Sequence, residues 1–330
     1  MTSTLYLDHR DIQLSLHGKA LHIHRDGALE RTLPLSLVEH IVCQASVGLK
    51  TGLLASLSAQ GIGLTFFGGY HNQESAHLGV AGARDIMRRL GQYQLYLDPA
   101  QRLAWSIRLM QHKLQRQRRL LLRARRRRAD LRHPLTQGID GLARLQQGLR
   151  HSPPTSIDSL RGIEGSGARC YFQAYASLFA DSLGFAGRQR RPPPDPVNAL
   201  LSLGYTLLNG AVQQAVAGAG LDPWLGFYHE PYHGRASLVC DLVEPFRPHI
   251  DALVWQLLSS RTLRADHFGS DSQPDEDGHS QTRCLLNKPG RALFYPLYEA
   301  HAKGWRPQLR HIAQALALQL QQSPNPPLEP

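Results

Sequence analysis

With 330 residues, 42% of them hydrophobic, the chain is longer than one core usually serves, so two domains are the default expectation. It contains no apolar run near the ~20 residues of a membrane span, and Met1 to Asp8 shows no basic stretch followed by an apolar one, so neither a membrane anchor nor a secretory signal is expected. Four scattered cysteines (Cys43, Cys170, Cys240, Cys284) argue against a zinc module or a disulfide scaffold and fit a reducing cytoplasm, while a net charge of +11 raises the question of where the positive charge lies.

Residues 4–42 read as β-structure. Leu5-Tyr6-Leu7, then Ile12, Leu14 and Leu16, then Leu21 and Ile23 alternate with polar residues at period two. Gly18-Lys19 and Asp26-Gly27 fall where hairpin turns are needed. Residues 33–43 continue in the same style, residues 50–60 spell a short helix, and 61–67 a buried strand. A small β-rich, sandwich-like domain is therefore expected over 1–84. His71 and His77 follow in a Gly- and Ser-containing loop and receive no role.

From Asp85 the spacing is helical. Leu90, Tyr93 and Leu97 form one stripe and Leu103, Ile107, Met110 and Leu114 another, with a junction at Asp98-Pro99. The second helix runs into most of the charge: residues 108–132 hold ten arginines and one lysine against one aspartate, leaving the rest of the chain close to neutral. A concentrated basic stripe on a neutral body suggests a polyanionic partner. Arg125 to Arg128 in a row cannot share one face, so part of the stripe only solvates. The helix is expected to end near His133-Pro134. A short amphipathic helix over 135–149 and a linker, His151 to Pro154, lead to a long helix with Ser156 or Asp158 as N-cap. In that helix Glu164 stands among Gly162, Gly165, Ser166 and Gly167, small neighbours that let a backbone or a ligand approach. An exposed helix glutamate is the plainer alternative. Residues 188–196 are basic, proline-rich and extended, and a helix over 197–219 carries Asn198 in its first turn.

Residues 226–248 are the densest in chemistry. His229 and His233 lie in a turn-like segment, and a helix follows from Val239 to about Arg264 with Asp241 and Glu244 three apart, so that their carboxylates can converge. Residues 266–282, with Asp271, Asp275, Glu276 and Asp277 among Ser, Gly and Pro, predict an exposed, mobile loop. Helices over 290–303 and 307–322 complete an all-α domain spanning 85–322, and 323–330 reads as a disordered tail. The fold class expected is α+β. A carboxylate from one helix with a histidine and a carboxylate from another makes a mixed O/N site suited to Mg²⁺ or Mn²⁺. Beside arginines, such a site points to phosphodiester chemistry.

Three motifs carry a resemblance. Gly162-Ile163-Glu164-Gly165 with Ala168-Arg169-Cys170-Tyr171-Phe172 is the first. Arg191-Pro192-Pro193-Pro194-Asp195-Pro196-Val197-Asn198-Ala199-Leu200-Leu201 leading to Gly204-Tyr205 is the second. The third is Gly226-Phe227-Tyr228-His229, then Gly234-Arg235-Ala236-Ser237-Leu238, then Asp241-Leu242-Val243-Glu244-Pro245-Phe246-Arg247-Pro248. In order, spacing and identity they resemble the CRISPR-associated integrase of spacer acquisition, the "Cas-one" family, over nearly the whole chain. The resemblance implies an N-terminal β-domain and a helical catalytic domain. It implies a metal site of Glu164, His229 and Glu244, with Asp241 a further acid beside it. It also implies a homodimer that assembles with a small "Cas-two" partner on duplex DNA in a prokaryotic cytoplasm and joins 3′-hydroxyl ends to the repeat of a CRISPR array, antiviral defence by DNA integration. Phosphate contacts are then expected from Arg119 and Arg123 of the stripe and from Arg188, Arg190 and Arg191. Arg235 and Arg247 would clamp the scissile phosphate, although pairing with Asp241 or another acid accounts for them equally. Asn198 would position a ligand or phosphate, or simply cap its helix. A non-catalytic basic DNA-binding scaffold and a transposon-type integrase of the same fold are the alternatives.

Overall fold

The computed structural model describes residues 3–9, 11–43, 47–67, 75–78, 86–189, 192–274 and 280–322. The expectations for His71, Arg190, Arg191, Asp275, Glu276, Asp277 and the tail 323–330 concern residues outside these ranges. Two compact units emerge, one of Met1–Gln92, Gly210–Pro223 and Arg306–Pro330, the other of Tyr93–Asn209 and Trp224–Trp305.

In the first unit the period-two runs become strands. β1 (Ser3–Leu7), β5 (Val38–Cys43), β7 (Gly63–Phe67) and β8 (Ser75–Leu78) form one sheet in that order. β4 (Ala28–Pro34), β3 (Ala20–Arg25), β2 (Ile12–His17) and β6 (Val47–Leu49) form the other. The two sheets share one core with α1 (Thr51–Ala59): Leu14, Leu21, Ile41, Leu57 and Leu64 are buried together there. Distant segments are tied in by side chains that bond to backbone. Gln214 donates to Glu39 O at 2.8 Å, Gln92 donates to Asp222 O at 2.8 Å and accepts from Asp222 N at 2.8 Å, and Arg88 donates to Ala219 O at 2.9 Å. Such bonds leave no compositional mark, so a boundary drawn at residue 85 follows chain order alone.

The second unit is built on helices whose starts follow capping chemistry. α2 (Ile86–Leu97) leads into α3 (Pro99–Arg127), where the Asp98 carboxylate accepts from Ala100 N and Gln101 N at 3.0 Å each and Pro99 takes the first position. α3 stops at Arg127, and α4 (Arg132–His151) opens on His133-Pro134 instead of α3 closing there; proline is tolerated in a first turn because its missing N–H has no partner to lose. α5 (Ile157–Ala176) is capped by Ser156, and α6 (Pro196–Gly218) by Asp195, which accepts from Asn198 N at 2.8 Å.

Two expectations fail here. The helix expected from 239 to 264 is broken. α7 (Ser237–Val243) ends, a 3-10 turn covers Glu244–Phe246, and α8 (Arg247–Ser259) begins anew. Pro245 has no N–H to give and its ring clashes with the carbonyl four residues back. The acidic loop of 266–282 is instead a hairpin of β9 (Phe268–Pro274) and β10 (Ser280–Leu286), antiparallel, with Asp271 paired to Arg283 at 2.8 Å. Its apolar residues gather at one end, Phe268 on one strand and Cys284 to Leu286 on the other, so there was no apolar alternation to read; main-chain bonds make the ladder. α9 (Lys288–Ala302) completes the second unit, and α10 (Arg306–Gln321) belongs to the first. No helix among the described residues is long and apolar enough to cross a membrane, and the four cysteines are free.

Candidate active site

Glu164 sits midway along α5 and a quarter exposed. What brings a partner to it is Gly167, one turn on. A Cβ there would lie 2.6 Å from Leu114 Cδ2, so glycine lets the Leu114 side chain of α3 lie against α5 as it does. Beside Leu114, Lys113 then reaches Glu164: its Nζ lies 2.6 Å from Glu164 Oε1 and 2.7 Å from Glu244 Oε2. The other oxygen of Glu164 accepts from the Tyr228 hydroxyl. Burial resists the charge on Lys113, but the two carboxylates outweigh it and raise the ammonium's pKa. Burial also opposes ionisation of Glu244, yet Arg247 and Lys113 hold its carboxyl well below the ordinary range; Glu164 is lowered in the same way, Lys113 overcoming burial.

His229 is positioned from behind. Asp241, fully buried, accepts from the backbone of Phe227 at 2.6 Å, Tyr228 at 3.0 Å and His229 at 2.9 Å, and from His229 Nδ1 at 2.7 Å. A carboxylate only accepts, so Nδ1 carries the proton, and in the neutral ring the lone pair is on Nε2. The 226–229 segment is held on its other side by Arg102, whose Nε donates to Phe227 O at 2.6 Å. Gly226 lets the segment cross α7, since a Cβ would meet Ser237 C at 2.6 Å and His229 O at 2.8 Å. Were the His229 ring charged, it would lie close enough to Glu244 to favour the ionised carboxylate. Asp241 and Glu244 therefore serve different partners, Asp241 the histidine loop and Glu244 Lys113 and Arg247.

The arginines and Asn198 divide by partner. Arg247 donates from Nε to Glu244 Oε1 at 2.9 Å, with its guanidinium 4.4 Å from the centre of the Tyr205 ring. Arg188 donates to Asn198 Oδ1 at 2.8 Å and to Ser202 Oγ at 3.1 Å. Asn198 is 1% exposed, its amide donating to Gly187 O and Asp195 Oδ2, so it faces inward and ties the 187–189 loop to α6. Arg235 donates to Glu230 O, and His233 is exposed. On α3, Arg116 is spent on His249 at 2.7 Å and Arg125 on Thr136 at 3.2 Å, whereas Arg119 and Arg123 are exposed. The sequence reading passed over Lys113, Tyr228 and Arg102. For Lys113 a signal existed, as the one lysine among ten arginines.

Among the described residues no three His, Cys, Asp or Glu side chains are already gathered tightly enough to hold a metal ion. The donor chemistry nonetheless fits one. Two ionised carboxylates already share one cation, and a neutral imidazole nitrogen backed by a buried carboxylate is the arrangement that metal-binding histidines use. With the arginine-bearing α3 alongside, this donor set suits chemistry on a polyanion.

Comparison with known proteins narrows the class. The family described as CRISPR associated protein Cas1 matches residues 5–300. A CRISPR-associated endonuclease Cas1 of Thermodesulfovibrio yellowstonii is 35% identical over 319 residues, 95% of this chain and 97% of that protein. The chain belongs to the CRISPR-associated Cas1 family. Among solved structures, a Cas1 protein from Thermotoga maritima shares the fold with a TM-score of 0.79 at 24% identity, covering 97% of each chain. A casposase bound to integration product gives 0.78 at 19% identity, covering 99% of this chain and 92% of that one. A Cas6-RT-Cas1–Cas2 complex gives 0.76 at 22% identity, covering 97% of this chain and 35% of that one.

Proposed function

We propose that the chain is a divalent-metal-dependent DNA endonuclease and integrase that joins the 3′-hydroxyl ends of a short duplex to the repeat DNA of a CRISPR array. The observation that carries this reading is the His229 Nδ1 bond to Asp241, which leaves Nε2 as a ligand beside two ionised glutamates. Glu164, His229 and Glu244 would hold Mg²⁺ or Mn²⁺. When bound, the ion stabilises charge at the phosphate and aligns the attacking oxygen. The chain's own groups prepare for that. Asp241 fixes the imidazole tautomer, Tyr228 orients one oxygen of Glu164, and Arg247 holds one oxygen of Glu244. Asp241 is on this reading a positioning residue. Arg119 and Arg123 contact backbone phosphates along α3, and Arg188, Arg191, Arg235 and Arg247 add further phosphate contacts, with Asn198 bracing Arg188.

Partners follow from the same reading: duplex DNA, a second copy of the chain, and a small Cas2-type protein, all in a prokaryotic cytoplasm. Support comes from the family and from the likeness to a Cas1–Cas2 complex. The test is a half-site integration assay with the partner protein and labelled duplex. Joined products with Mg²⁺ or Mn²⁺ and none after EDTA are expected. Salt-sensitive duplex binding without product under any metal would overturn the reading in favour of a scaffold.

A further inference from the structure

We propose that Lys113 is a built-in counter-cation of this site, holding Glu164 and Glu244 together and competing with the divalent ion for them. The inference rests on the metal-site reading above. Three observations carry it. The ammonium bonds one oxygen from each glutamate, at 2.6 and 2.7 Å, and its side chain is 8% exposed, so it stands between the carboxylates and not beside them. The position is supported by packing, because the neighbouring Leu114 is buried and lies against Gly167 of α5. And the residue is the single lysine in a stretch that otherwise uses arginine ten times. A guanidinium is a planar fork suited to one carboxylate edge-on; an ammonium is a compact point charge on a flexible stem, able to bridge two carboxylates and then withdraw.

Nζ takes a lone pair on Glu164 Oε1 and on Glu244 Oε2 and puts a positive charge where a dication would sit. As the ion enters, both Lys113 bonds break, and the four-carbon stem turns the ammonium away from the ion. Two consequences follow. The glutamates stay assembled without repelling one another before the ion arrives. The ion binds more weakly than the same three ligands would bind it unopposed, and a phosphodiester, which offers the displaced ammonium a new anion, strengthens ion binding. Lys113 thus links metal occupancy to nucleic-acid occupancy.

The experiment uses the full chain stripped with EDTA, as wild type, Lys113→Met and Lys113→Gln. Mn²⁺ affinity is measured by calorimetry without nucleic acid, and melting temperature with and without Mn²⁺. Mn²⁺ affinity about tenfold or more tighter in either variant is expected. So is a lower melting temperature of the stripped variant that Mn²⁺ raises by more than it raises the wild type. Damage to the fold cannot tighten binding, so this readout separates competition from a structural role. Affinity unchanged or weaker in both variants, with the wild type binding, overturns the competition. Absence of Mn²⁺ binding by the wild type is a different outcome, which overturns the metal-site reading and this proposal with it.

Discussion

Asp241 Oδ1 accepts the Nδ1 proton of His229 at 2.7 Å while the same carboxylate accepts three successive backbone N–H groups, from Phe227 to His229. One buried acid on α7 thereby sets the path of the histidine loop, the tautomer of its ring and the direction of its free nitrogen. On the proposed reading Asp241 supports the ligand His229, and Glu244, three residues on, is a ligand itself.

Replacing Asp241 with Asn keeps the shape and removes the charge. Mn²⁺ affinity should weaken about 10–100-fold, the usual effect of losing a carboxylate behind a metal-bound histidine. Asp241→Ala should in addition lower stability by about 3 kcal/mol or more, because three buried N–H groups lose their acceptor. Calorimetry and urea unfolding check the two halves, and an Asn variant with unchanged affinity would remove Asp241 from this role.

Gly226→Ala inserts a Cβ into backbone on two sides, Ser237 C at 2.6 Å and His229 O at 2.8 Å, neither of which can swing aside. A loss of about 1–3 kcal/mol is expected, with metal-dependent cleavage falling by more than the folded fraction does, because the displaced segment carries His229. Cleavage that tracks the folded fraction alone would contradict this.

Asp251, on α8 and 1% exposed, accepts from the hydroxyls of Tyr171 and Tyr205. Burial pushes its carboxyl up from 3.8 to about 6, against the pull of the two hydroxyls and of Arg247 and Arg188. Its pKa is raised in the folded state, so the folded chain binds this proton more tightly than the unfolded one. The contribution is full below about pH 4 and is lost as pH rises to about 6, some ~3 kcal/mol in all. Glu164 and Glu244 have the opposite sign, gaining stability with pH, so the difference between wild type and Asp251→Asn isolates the effect. Urea unfolding from pH 4 to 7 should show that difference drifting against the wild type, and a constant difference would refute it.

Arg119→Ala and Arg123→Ala should each weaken duplex binding without regard to sequence and lower the slope of log affinity against log salt by about 1. Arg116→Ala should leave the slope unchanged and act on stability, since that guanidinium is bonded to His249 and lies over the Phe246 ring. Filter binding across a salt series distinguishes the two groups.

The hairpin strands of the first unit were legible because Leu14, Leu16, Leu21 and Ile23 alternate, and the proposed ligands Glu164, His229 and Glu244 were singled out by motifs that resemble a known family. What stayed hidden was whatever depends on where one helix crosses another. Lys113 read as one more charge in a basic run, and only the packing of α3 against α5 makes it a partner of two glutamates. Asp241 and Glu244 looked like a converging pair because i and i+3 share a helix face, but one is spent on the 227–229 segment and the other on Lys113 and Arg247. The hairpin of β9 and β10 carries no apolar alternation, and the tether of residues 210–223 to the β-rich unit runs through single side chains such as Gln92 and Gln214.

Crystals of the chain soaked in Mn²⁺ and measured at the manganese absorption edge test the central claim most directly. One anomalous peak is expected, about 2 Å from Glu164, His229 Nε2 and Glu244, with Asp241 still on Nδ1 and the Lys113 ammonium moved out from between the glutamates. A peak coordinated by Asp241, or manganese bound with His229 uninvolved, would contradict the account.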